Sequence, residues 1–482
     1  MKFLRWIFRK PNTVEATKRQ FPRRPPRRIP SQPQPVSNKP IDYVINDMTT
    51  PDLVKQVEPP TPPAEPRFIV QKYAGGGFPR GTPENLAANC FVTVANTLNL
   101  YKNYAVRPLN RWAAVSTLAV MPVAGVDLNA FYDRRSLQFF YFGHKRIGGT
   151  VFTAESSDIV AHELGHALLD AYRPDTWNAA ALEVWAYHEA FADWTAITHL
   201  MSHEEVLEYA VRQTGGDLRR PNVIANLAEH VGRAIYEFAG PQSGRSPHAL
   251  RSAINNFKYV SPGGLPEDAP HDQLAAECHS FGRLFLGVFY DLLVGVYELH
   301  REQHGPVAAL RHARDAVAKR VMLATQNAGV NVKFYESIAR TLLWADKTHF
   351  DSRYHDLIQR TLIERQVIQP EVKILSAPSC DNDEKIMRTS GKLTLRLSEH
   401  IVRSQSIVNN PLYDVELEVP NDQVFLYDQS GQIIDAMAVS DEETIRSAQQ
   451  MVDYLHIAKK VGDGPDTPFE VRDGKLVRTH FS

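Results

Sequence analysis

The chain has 482 residues, 43% of them hydrophobic and 23% charged, with a formal net charge of −1. That is the make-up of a soluble globular protein of about three structural units. It offers no global basic field for nucleic acid, and no apolar run reaches the ~18 residues that span a bilayer. Three cysteines (Cys90, Cys278, Cys380), none in CxxC spacing, are too few for a disulfide framework and suit a reduced compartment.

Charge is unevenly spread. Residues 1–40 carry eleven Lys/Arg against one acid, Glu15, together with eight prolines. Such a stretch cannot bury enough apolar surface to order itself, so a disordered tail is expected. With the Pro-rich run Glu58 to Pro66 it gives a tail and linker over residues 1–66. Within residues 1–10, Phe3, Leu4, Trp6, Ile7 and Phe8 fall opposite Lys2, Arg5 and Arg9 on a helical wheel. That pattern suits peripheral contact with an anionic membrane surface, although a frayed terminus is the plainer expectation. Arg5 and Arg9 interrupt any signal-peptide core, and the expected location is cytoplasmic.

Residues 67–157 predict a β-rich lobe, with a helix over Glu84 to Tyr101 and strands at Leu118 to Val123 and Leu137 to Phe142. Residues 158–370 predict a helical lobe. Ser202 with Glu205 reads as a capping box, and Leu274 to Leu299 and Pro306 to Thr325 as long helices. Residues 371–482 predict a small α+β module of unassigned role. Its strands are Leu393 to Leu397 and Val415 to Val419, its turns Asp428 to Gly431 and Asp473-Gly474, and its helix opens at Ser440 with Glu443.

The chemistry is concentrated in His162-Glu163-Leu164-Gly165-His166. Residues four apart share a helix face, so both imidazoles can meet one zinc ion while Glu163 takes a proton from its water. A catalytic zinc needs a third protein ligand. Leu169 and Tyr172 stand where a metzincin continuation requires Gly and His. Glu189, 23 residues after His166, is the alternative, in a segment rich in Trp185, Phe191 and Trp194. Asp193, four further on, is placed to receive the other N–H of a ligand histidine. His188 is out of phase and reads as structural.

HExxH with a downstream ExxxD resembles the thermolysin-like, Glu-zincin metallopeptidases. Asn129-Ala130-Phe131-Tyr132 is similar to that family's cleft-edge segment, Ala249-Leu250-Arg251-Ser252 to its Ala-Leu-Arg-Ser, and His279 lies 28 residues after Arg251. Asp158, Asp170 and Tyr290 also fit, and the resemblance spans roughly residues 85–345. It implies a zincin-like α+β fold and zinc endopeptidase activity on a peptide or protein substrate. Its implied zinc ligands are His162, His166 and Glu189, with Asp193 and Asp170 behind them. Glu163 is implied as general base and His279 as oxyanion donor, while Asn129, Ala130 and Arg251 hold the substrate. Ile159 and Leu250 match positions lining the pocket after the scissile bond, where a large apolar residue is expected. Tyr172 is the nearest candidate for the family's transition-state Tyr, with Trp177 a poor substitute. Asp272 and Glu277 are the options for orienting His279. Leu200 stands where the family has a calcium acid, so no such site is expected. The tail is too short for the family's pro-segment. The competing reading is a non-catalytic scaffold whose C-terminal module makes the contacts. An aminopeptidase is weaker still, with no GxMxN-type segment.

Overall fold

The computed structural model describes residues 37–369, 386–389, 391–396, 410–427, 433–462 and 467–481. The amphipathic segment 1–10, Cys380 and the turn at Asp428 to Gly431 lie outside them.

The described chain opens with β1 (Ile41–Val44), antiparallel to β2 (Val54–Val57). This departs from the linker expected through residue 66. Ile41 and Tyr43 are fully buried. The Tyr43 hydroxyl bonds His199 Nε2 at 2.8 Å and Thr93 Oγ1 at 3.1 Å. Proline content over a long window masked a four-residue strand, and two large side chains on one face are enough to anchor it.

Then come β3 (Arg67–Val70), α1 (Pro83–Tyr101), β4 (Thr117–Val126), β5 (Ala130–Tyr132), β6 (Ser136–His144) and β7 (Gly149–Phe152). Thr82 caps α1 by accepting the Asn85 N–H. The sheet order is β3-β4-β6-β5, with β7 also on β6. β3, β4 and β6 are parallel, while β5 and β7 run antiparallel to β6, which leaves β5 at an edge.

The sheet and α1 pack against α2 (Ser157–Tyr172), and α2 lies along α3 (Leu182–Leu200). α3 is buried on every side, as its near-continuous apolar sequence demands. The Ser157 N–H at the start of α2 is received by the Asn46 C=O at 2.8 Å, so the N-terminal hairpin helps cap this helix.

Near the start of α3, the buried Glu183 accepts from the Tyr259 hydroxyl at 2.7 Å and the Tyr335 N–H at 2.8 Å. Burial pushes its carboxyl up to about 7. The folded value is raised, so this contribution to stability is present below the unfolded carboxylate value and is lost as pH rises through 7. Glu183→Gln should therefore gain about 3 kcal/mol on the wild type between pH ~4.5 and pH ~8. Urea midpoints at the two pH values check this, and a pH-independent difference would refute it.

α4 (Glu204–Thr214) begins at a His203 N-cap with no side-chain cap bond. The Ser202–Glu205 capping box is not formed: Ser202 Oγ donates to His199 O, and Glu205 pairs with Lys55 at 2.6 Å. Then follow β8 (Asn226–Leu227), α5 (Glu229–Ala239), β9 (Arg251–Ser252), α6 (Cys278–His304), α7 (Pro306–Asn327), α8 (Phe334–His349) and α9 (His355–Glu364). α6 starts later than the apolar pattern suggests because Glu277 caps it, accepting the Ser280 N–H. It is long and apolar enough to cross a membrane, yet Leu284, Phe285, Leu286 and Phe289 are fully buried, as in a core helix.

The C-terminal part has β10 (Ile386–Thr389), β11 (Lys392–Leu395), β12 (Leu417–Pro420), β13 (Gln423–Tyr427), β14 (Ile433–Met437), α10 (Asp441–Ile457), β15 (Phe469–Arg472) and β16 (Lys475–Arg478). Ser440 and Glu443 form the capping box expected of them. Asp473 and Gly474 turn the β15–β16 hairpin with φ of 52° and 75°, the left-handed pair such a two-residue turn requires. This part does not stand apart. Leu417, Val419, Met451, Leu455, Phe469 and Phe481 share one continuous core with the helical lobe.

Candidate metal centre and cleft

α2 and α3 approach closely because glycine stands at the contact. A Cβ on Gly165 would sit 2.7 Å from Ala192 Cα. Across this contact His162, His166 and Glu189 converge. His162 Nε2 and His166 Nε2 are 3.2 Å apart. Glu189 presents Oε2 to the first at 3.6 Å and Oε1 to the second at 3.7 Å. A tetrahedral zinc with bonds of ~2.0–2.1 Å needs ligand separations of about 3.3–3.4 Å. Both Glu189 carboxylate oxygens are buried without a hydrogen-bond partner among the described residues. A carboxylate so placed can serve as a metal ligand. Burial, aided by His162, holds His166 well below the usual imidazole value and so in its neutral, ligating form. These residues fit a zinc ion.

The shell behind them is partly as expected. His162 Nδ1 meets Asp193 Oδ1 at 2.8 Å. Arg251, on β9 opposite Leu227, grips Asp193 with Nε at 3.0 and 2.8 Å from its two oxygens. Burial opposes charge on Asp193, but Arg251 and His162 outweigh it and keep the carboxyl below its ordinary range. Arg251 lines the cleft beside this pair. Asp170 differs from the expectation. Its oxygens accept from Arg134 at 2.7 and 3.0 Å and from the Tyr132 hydroxyl at 2.9 Å. His166 Nδ1 is left without a partner among the described residues. Four residues along α2 carry Asp170 toward β5, where a guanidinium outcompetes a neutral imidazole.

Glu163 lines the cleft, 3% exposed, with Oε2 unpartnered among the described residues. Burial, then the neighbouring Glu189, raises its carboxyl well above the ordinary value. His279 points Nε2 to Glu189 Oε2 at 3.5 Å and Nδ1 to Glu277 Oε1 at 2.7 Å. Of the two candidate acids for orienting it, Glu277 does so. Burial works against charge on His279, yet Glu189 and Glu277 raise its pKa well above the usual imidazole value.

The cleft beside these groups measures about 230 Å³. Leu128, Ile159, Val231, Ile235 and Leu250 form its apolar wall. Asn129 and Ala130 line it too, and Asn129 Oδ1 accepts the Ala130 N–H at 2.9 Å. Tyr172 packs against the core and is not among the cleft-lining residues. Trp177 stacks edge-on to Tyr132 and Phe481. Tyr290 bonds Leu218 O and Asn222, a structural tie. His188 is held by Thr176 at 2.8 Å and stacks on Phe481, outside the triad.

Sequence reading missed Tyr454 and Lys460, which reach the cleft wall from the C-terminal part, and Phe481, which stacks on His166. Their separation along the chain left no local signal. It also gave Cys278 no ligand role. Cys278 joins Glu189 and His279 in a second group of coordinating atoms lying within 4.8 Å of one another.

Compared with protein-family models and with curated proteins, the chain matches none.

Proposed function

We propose that this protein is a zinc-dependent endopeptidase of the thermolysin-like kind, with a zincin-like fold. The observation that carries the reading is the His162–His166–Glu189 triangle, whose separations suit one tetrahedral ion beside Glu163, whose Oε2 has no hydrogen-bond partner among the described residues. When bound, zinc would supply Lewis-acid polarisation at its open coordination position.

The chain's own groups do the rest. Glu163 takes the proton of the attacking water and delivers it to the leaving amine. Glu277 occupies His279 Nδ1 and so directs protonated His279 to donate from Nε2–H to the developing oxyanion. Arg251 holds Asp193, and Asp193 holds the His162 ring at Nδ1. The apolar wall around Ile159 and Leu250 receives a large apolar side chain after the scissile bond.

The test is zinc content per chain together with hydrolysis of apolar peptides. One zinc per chain is expected. A chelator should abolish hydrolysis and added zinc restore it, with cleavage before Leu, Ile or Phe. Hydrolysis that survives complete removal of metal would reject the reading, and a preference for Gly or acidic residues would reject the pocket assignment.

A further inference from the structure

The outer edge of β5 is not free. Tyr132 donates its N–H to Phe481 O at 2.9 Å, and its C=O accepts the Phe481 N–H at 2.9 Å, an antiparallel bridge. Strand periodicity gives Ala130 and Tyr132 the same outward edge. The Ala130 N–H is already taken by Asn129. The full backbone pair that β5 could lend to a bound peptide is therefore in use.

Polarity matters here. The segment after β16 runs antiparallel to β5, so its carboxyl direction heads from Tyr132 toward Ala130, which lines the metal cleft with His162 and Glu163. A peptide with its amino-side residues on this edge would run the same way. Residues 479–481 thus lie where, and in the direction in which, the amino half of a substrate would lie.

The side chains reinforce the seat. Phe481 is 1% exposed, with its ring 4.9 Å from that of His166 and 4.0 Å from that of His188. It borders a small cavity shared with Glu189 and His279. The Trp177 indole donates to Arg478 O at 3.3 Å, and Asn178 Oδ1 accepts the Arg478 N–H at 3.4 Å. The seat also carries a cost. The Arg478 guanidinium is buried among Trp185, Phe469 and Phe481, with Nε and one terminal nitrogen unpartnered among the described residues. Release of the strand would return those N–H groups to water, which brings the docked and released states closer in free energy.

From this geometry we infer that the strand ending at Phe481 is a built-in occupant of the amino-side half of the cleft, and that internal peptide bonds are cut only when it is displaced. The inference rests on the peptidase reading for its consequence, and on the backbone pairing alone for the occupancy.

Three zinc-loaded proteins test it: the full chain, the chain lacking residues 479–482, and full-length Phe481→Ala. Thermal unfolding and zinc content establish that each is folded, and Phe481→Ala serves if the shortened chain does not unfold cooperatively. The substrate is an internally quenched peptide with several residues on both sides of an apolar bond. We expect kcat/KM to rise at least tenfold in both variants. A synthetic peptide of sequence Lys475–Ser482 should inhibit the shortened chain competitively. A fluorescein-labelled copy should bind the shortened chain and not the full chain by anisotropy, a readout independent of turnover. Equal kcat/KM in all three proteins, or equal peptide binding by the full and shortened chains, overturns the inference. If none hydrolyses while the labelled peptide binds only the shortened chain, the peptidase reading falls and the occupancy stands.

Discussion

Glu163→Gln should keep one zinc per chain while kcat/KM for an apolar peptide falls by about 10²–10⁴-fold, the range general-base catalysis supplies. The exchange is nearly isosteric, so a side chain 3% exposed keeps its packing. What it loses is the capacity to take a proton. Retention of metal follows from the geometry. The three converging ligand groups are His162, His166 and Glu189, and the exchange at Glu163 removes none of them. Hydrolysis within threefold of wild type at full zinc content would remove Glu163 from the mechanism. Loss of zinc and activity together would make it a structural residue. Glu163→Asp gives a further readout. It keeps the acid but shortens its reach by one methylene, so partial activity is expected, well above that of the amide.

How legible was this site? The local part was plain. His162 and His166 four apart, and Asp193 four after Glu189, are relations a single helix enforces, and each helix forms as read. The convergence of Glu189 on the two histidines needs two buried helices side by side, and the aromatic flanks of Glu189 pointed that way. Asp170 shows where the same logic fails. Spacing places it near His166 but says nothing about Arg134, which comes from the loop after β5 and claims both oxygens. Ser202 and Glu205 fail likewise, since Lys55 from the N-terminal hairpin takes the acid. Tyr43, Phe481 and Arg478 were invisible for another reason. Their partners, His199, Tyr132 and Trp185, lie more than a hundred residues away, and no periodicity encodes such pairings. Composition erred in the same direction at both ends. Proline content concealed a buried strand at Ile41–Val44, and a change of texture after Gln369 suggested a separate module where the core is shared.

Gly165→Ala should weaken zinc binding by about 10–100-fold and cost about 1–3 kcal/mol of stability, although Gly165 touches no ligand atom of the triad. In a helix interior, alanine is ordinarily the better residue by roughly 1 kcal/mol, so propensity alone predicts stabilisation. Sterics decide otherwise. The new Cβ would lie 2.7 Å from Ala192 Cα and 3.0 Å from Thr195 Cβ, and the first of these is backbone that cannot rotate away. α2 and α3 must separate or slide to restore ordinary contact. His162 and His166 ride on one helix and Glu189 on the other, so the shift enters directly into the 3.6 and 3.7 Å separations that suit the ion. Gly282→Ala probes the contact of α3 with α6, where its Cβ would meet Ala186 O at 2.8 Å and Glu189 Cβ at 2.9 Å, and the same direction of effect is expected. Gly149→Ala, with nothing within 4 Å of the added Cβ, serves as the control and should bind zinc as the wild type does. Competition with a metal-sensitive dye gives the three affinities. Wild-type affinity in Gly165→Ala would mean that the triad does not depend on the close approach of these helices, and the geometric argument for the centre would fail with it.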